Sequence, residues 1–171
     1  MSKAEIIRRI RDFLDSIGIP VLEKTLPDDT FLPGIQIEYG SLAIDPDKLK
    51  YPGDMLHEAG HIAAMPPSTR TRAFANAGDE MGEEIAAHAW SYAAALACDI
   101  PAEVVFHPNG YKGSATWLRE HYESSERFAG LPLLAWYGMT AMPGQKASED
   151  QIEYPQMKAW LRAHDDPALA Q

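Results

Sequence analysis

His57-Glu58-Ala59-Gly60-His61 sets two imidazoles four residues apart, with a carboxylate directly after the first. On a helix, residues at i and i+4 stand one turn apart on the same face. Both rings can therefore reach a single ion at ~2.0–2.1 Å, the zinc–nitrogen distance. Glu58 is turned ~100° from His57, which is too far round for a third ligand but close enough to hold a water beside the ion. Two ligands and a general base on one rigid turn are the requirements of metal-assisted hydrolysis. Random order of this composition gives roughly 0.016 matches to the pattern, so a surface helix with two solvated histidines is the weaker explanation.

A catalytic zinc site takes three protein ligands and keeps one position open. The extended motif with a third histidine six residues after His61 is absent, because that position is Pro67. This excludes a metzincin and places the third ligand elsewhere. The stretch "DEMGEEIAAHAWSYAAALA" offers Glu83 and Glu84. At ~100° per residue, Met81, Ile85, Tyr92 and Leu96 form one apolar stripe, which Trp90 widens. Glu84 and His88 lie on its flank, where Ala87, Ser91 and Ala95 leave room, while Glu83 points further away with Trp90 seven residues on. Glu84 is the expected third ligand and Glu83 the alternative. Either alone would read as a solvated first-turn carboxylate favoured by the helix dipole.

Hydrolysis of this kind also needs a donor for the oxyanion. "FHPNGYKGS" places His107 and Tyr111 in a Pro/Gly-rich loop, the sort of segment where function resides, and both are candidate catalytic residues beside Glu58. Their plain alternative is surface or packing. His88 either hydrogen-bonds a ligand or lines the core flank; His121 and His164 are expected at the surface.

These residues must be positioned by the elements around them. Ile6, Ile7, Ile10, Phe13, Leu14 and Ile17 recur at helical spacing over 3–17, with Gly18 at the stop. A connector, "IPVLEKTLPDDTFLPG", follows. "IQIEY" and "LAI" around Gly40-Ser41 predict a β-hairpin with one buried face. The metal helix is expected from near Pro52 to just before Pro66-Pro67, and residues 66–78 as a loop. A long alanine-rich helix should run from an Asp79 cap to Cys98, followed by short helices after Pro101 and Ser114 and a buried helical "LPLLAWYGM". A capped turn and a final helix from Pro155 should bring Trp160 and Leu161 back to the core. The fold class is α+β, mainly helical, with a small hairpin or sheet beside the metal helix.

The chain has 171 residues and is expected to form one domain, 1–171. A formal charge of −10 argues against a nucleic-acid partner. No apolar run approaches the ~18 residues of a membrane helix, and the charged first residues do not read as a secretory leader. Cys98 is the sole cysteine, so neither an internal disulfide nor a thiolate cluster is available, and the reducing cytoplasm is the expected compartment.

"HEAGH", followed 23 residues after its second histidine by "EIAAHAWSYAAAL", resembles the gluzincin arrangement of zincin metallopeptidases. The hairpin before the metal helix and the alanine-rich second helix are similar to the bacterial ImmA/IrrE-like metallopeptidases, over about residues 31–98. The resemblance implies zinc held by His57, His61 and Glu84, with Glu58 as the base. It also implies a peptide or protein substrate, paired by strand addition to the edge of the hairpin. Where the family commonly has Asp or Asn four residues after the glutamate, this chain has His88. The function expected is a zinc-dependent peptidase. The alternative is a metal-binding regulatory or interaction protein with little turnover, and iron or manganese also suits two histidines and a carboxylate.

Overall fold

A computed structural model describes residues 1–75, 81–124, 128–144 and 151–166. The fold is α+β and mainly helical, with a three-stranded sheet. Helix α1, Lys3–Ser16, is capped by Ser2, whose hydroxyl accepts the Glu5 amide at 3.2 Å, and it buries Ile6, Ile10 and Leu14. Gly18, at φ +89°, takes the left-handed conformation that turns the chain out of the helix.

The expected hairpin is β2, Ile35–Glu38, paired antiparallel with β3, Ser41–Ile44. Its tight turn is Tyr39-Gly40, both at positive φ, one residue earlier than the sequence suggested. Ile35, Ile37, Leu42 and Ile44 are buried. The connector holds a strand that the sequence reading missed: β1, Val21–Glu23, lies parallel to β3 in the order β1-β3-β2. Three residues, two of them exposed, carry too little alternation to signal a strand.

The outer edge of β2 is already occupied. Tyr39 donates to the Ala73 carbonyl at 2.7 Å and Ala75 donates to the Ile37 carbonyl at 2.9 Å. Strand addition at that edge, which the resemblance implied, would require residues 73–75 to leave. These residues follow α3, Pro67–Arg70, a single helical turn inside the stretch expected as a loop.

Helix α2, Asp54–Ala64, carries the two histidines, and α4, Met81–Ala97, crosses it. The expected cap Asp79, residues 76–78 and the Met81 side chain lie outside the described residues. The apolar stripe drawn from the large side chains needs correction. Tyr92 is buried as expected, but Leu96 is 48% exposed, and most of the buried surface of α4 comes from Trp90 and the small residues Ala86, Ala87, Ala89, Ser91, Ala93, Ala94 and Ala95. Small residues are at this contact because the two backbones nearly touch, a separation that leucines would prevent.

Beyond α4 come α5 (Ala102–Val105), α6 (Ala115–Ser124) and α7 (Leu131–Trp136), as the sequence suggested, and a 3₁₀ turn over Tyr111–Gly113 within the stretch expected as a loop. The final helix from Pro155 does not form. Its backbone donors go elsewhere: Lys158 and Ala159 to the Met139 carbonyl, and Arg162 to that of Ala63. Trp160 and Leu161 still pack on the core, and the Trp160 carbonyl accepts the Trp90 indole at 3.0 Å. Residues 147–150 of the expected capped turn lie outside the described residues.

Candidate metal centre

Helix–helix contact brings the site together. Ser91 sits where α4 meets α2, its hydroxyl 3.2 Å from the Leu56 carbonyl and 2.5 Å from that of Ala87. With the helices held this closely, the first turn of α4 places Glu84 against the histidines of α2. His61 Nε2 is 3.1 Å from Glu84 Oε2, His57 Nε2 is 3.6 Å from Glu84 Oε1, and the two Nε2 atoms are 3.3 Å apart. Ligands bound tetrahedrally at ~2.0–2.1 Å stand about 3.3–3.4 Å from one another. The two imidazoles and the Glu84 carboxylate stand close to that spacing, each ring facing a different oxygen of the carboxylate.

The rings of His57 and His61 meet edge-on at 89°, and both side chains are buried. Burial, together with His61 nearby, lowers the His57 pKa to about 3, against a partial opposing pull from Glu84. Contacts with His61 and then His88 hold the Glu84 carboxyl well below the usual carboxylate range. His57 is thus neutral and Glu84 ionised at neutral pH, the forms that bind a cation. Nδ1 of both His57 and His61 is buried with no hydrogen-bond partner among the described residues. These histidines therefore lack the carboxylate or carbonyl that commonly fixes the tautomer of a metal-binding imidazole.

Glu58 is half-buried beside this cluster. Its pKa rises to about 7, chiefly through burial, with the charges of Asp54 and Glu84 adding to the rise and His61 opposing it. A carboxyl that titrates near neutrality is matched to proton transfer at physiological pH.

Tyr111 and His107 come from the predicted loop but reach different places. The Tyr111 ring lies 5.6 Å from that of His57 and 5.1 Å from that of His88. Its hydroxyl is buried and has no partner among the described residues. Burial, followed by the charges of Asp54, Glu84 and Glu58, keeps this phenol protonated. Tyr111 also holds φ at +56°, an uncommon backbone state for a bulky residue. His107 instead turns to the start of α2, where its Nε2 lies 2.8 Å from Asp54 Oδ1 and its ring stacks on Tyr51 at 4.0 Å. Gly110 passes so close that a Cβ there would lie 3.1 Å from His107 Cε1.

Asp54 and Tyr51 were not singled out in the sequence. Asp54 stands three residues before His57 on a predicted helix, and that spacing was the available signal; its partner 53 residues away was not. His88 touches Glu84, its Nε2 3.0 Å from Oε1. His121 is occupied structurally, stacked on Trp117 and accepting the Ala129 amide at 3.0 Å. His164 lies far along the chain in an exposed stretch. Comparisons with protein-family models, with curated proteins and with solved structures each find no match to this chain.

Proposed function

We propose that this chain is a zinc-dependent hydrolase of the zincin type, similar to the ImmA/IrrE-like metallopeptidases, which cleaves peptide or related amide bonds. The observation that carries this reading is the cluster of His57 Nε2, His61 Nε2 and the Glu84 carboxylate, with separations of 3.1–3.6 Å, next to a carboxylate poised near neutrality. Zinc held there would supply Lewis acidity toward a carbonyl and toward water. Glu58 takes the proton from the attacking water and passes it to the amine nitrogen as the C–N bond breaks. The Tyr111 hydroxyl, which needs a partner and remains protonated, donates to the oxygen that gains charge. His107, clamped between Asp54 and Tyr51, is a positioning residue that fixes the loop bearing Tyr111.

Among the described residues no helix is long and apolar enough to cross a membrane. Cys98 is buried, with its thiol pushed up to about 12 by burial, so it takes no part in this chemistry. A cytoplasmic location and a peptide or protein substrate belong to the proposal.

The test compares zinc-loaded wild type with Glu58→Gln on pools of unstructured peptides, with products read by mass spectrometry. The wild type should cleave, a chelator should stop it, and Glu58→Gln should keep its zinc but lose turnover. Equal cleavage by the two proteins contradicts the assignment of Glu58. One observation favours the alternative, a regulatory metal-binding protein with little turnover: a further nitrogen, on His88, stands at the same cluster.

A further inference from the structure

His88 follows Glu84 by one turn of α4, so both side chains leave the helix on the face that meets α2. Its Nε2 is 3.0 Å from Glu84 Oε1, and the donor atoms of His57, Glu84 and His88 all lie within 4.8 Å of one another. Two donors on opposite sides of one zinc ion are separated by at most about 4.2 Å, so a small ring movement brings His88 within reach of an ion held by His57 and Glu84, and His61 adjoins both of these at 3.3 and 3.1 Å. The His88 ring meets aromatic edges on its other side, with Tyr111 at 5.1 Å and Phe106 at 6.4 Å. An Asp or Asn at this position would be shorter and would offer an oxygen; the histidine offers a ring nitrogen of the kind zinc prefers.

Building on the zinc reading above, we propose that His88 is a fourth protein ligand, giving a three-histidine, one-glutamate set drawn from two helices. Four protein donors make a closed site, whereas catalytic zinc keeps a corner for water. The resting centre is therefore latent, and water reaches it only when the His88 ring swings aside. The His57 and His61 side chains are buried in α2 and stay in place.

X-ray absorption spectroscopy of the zinc-loaded full chain tests this by counting imidazoles at the metal. The expected count is three in the wild type and two in both His88→Ala and His88→Gln. Zinc release to a chelator should also speed up by about 10–100-fold in the variants, the range by which losing a supporting group weakens a metal site. A role for His88 in merely positioning Glu84 would also speed release, so the imidazole count decides. Two imidazoles in wild type overturn the proposal while leaving the hydrolase reading intact. A wild type that binds no zinc removes both. The wild-type count stands by itself even if a variant fails to fold.

Discussion

Gly60 on α2 lies against Ala87 on α4 so closely that a Cβ added to Gly60 would be 2.9 Å from the Ala87 carbonyl oxygen and 3.1 Å from its Cα. This contact sets the distance from which Glu84, three residues before Ala87, reaches His57 and His61. Gly60→Ala should gain about 1 kcal/mol of helix propensity but lose about 1–3 kcal/mol to overpacking against backbone that cannot yield. The expected result is a lower denaturation midpoint together with weaker zinc binding. Denaturant titration and a zinc competition assay check both, and a more stable variant with unchanged zinc affinity would show that the helices are free to separate.

Tyr111→Phe separates function from packing. The hydroxyl is buried without a partner among the described residues, so deleting it should leave stability unchanged or slightly raised. Turnover should instead fall by about 10²–10³-fold, the usual loss for one oxyanion donor. Steady-state kinetics alongside thermal unfolding provide the check. Unchanged turnover would return Tyr111 to a packing role.

Acid stability should depend on Asp45. Its carboxylate accepts the Leu26 amide at 3.0 Å and the Asp47 amide at 3.2 Å, and these bonds, the Leu26 one first, hold its pKa below the ordinary value. A folded-state pKa below the unfolded one contributes stability above the unfolded value of about 4. That contribution is lost as the pH falls through the folded value. Asp45→Asn should be less stable at neutral pH and should show a flatter loss of stability below about pH 4. Denaturation midpoints measured across that range in both proteins test the sign.

The site was legible in the sequence to the extent that helical periodicity governs it. The pairing of His57 with His61 follows from a spacing of four, and Glu84 was favoured over Glu83 by angle. That angle was drawn from a stripe that included Leu96, which the fold leaves exposed. Glu84 lies against His57 and His61 where Ala87 and Ser91 leave room, because α2 and α4 meet through small residues. Large apolar residues mark a core only where helices stand at ordinary separation.

Other features were not legible because their partners are distant in the chain. His107 binds Asp54 across 53 residues, and no local pattern announces that pairing. The helix expected from Pro155 failed for a related reason, since the Met139 and Ala63 carbonyls recruit the donors that its own ladder would have used. Residues 73–75 likewise cover the β2 edge through bonds that periodicity does not encode.

The central claim is that His57, His61 and Glu84 hold a single ion. Its most direct test is elemental analysis of wild type and His57→Ala after saturation with zinc and removal of the free metal on a desalting column. The account predicts about one zinc per wild-type chain and none in His57→Ala, with the variant still folded by circular dichroism. A metal-free wild type, or a His57→Ala protein that retains its full complement of zinc, would contradict it.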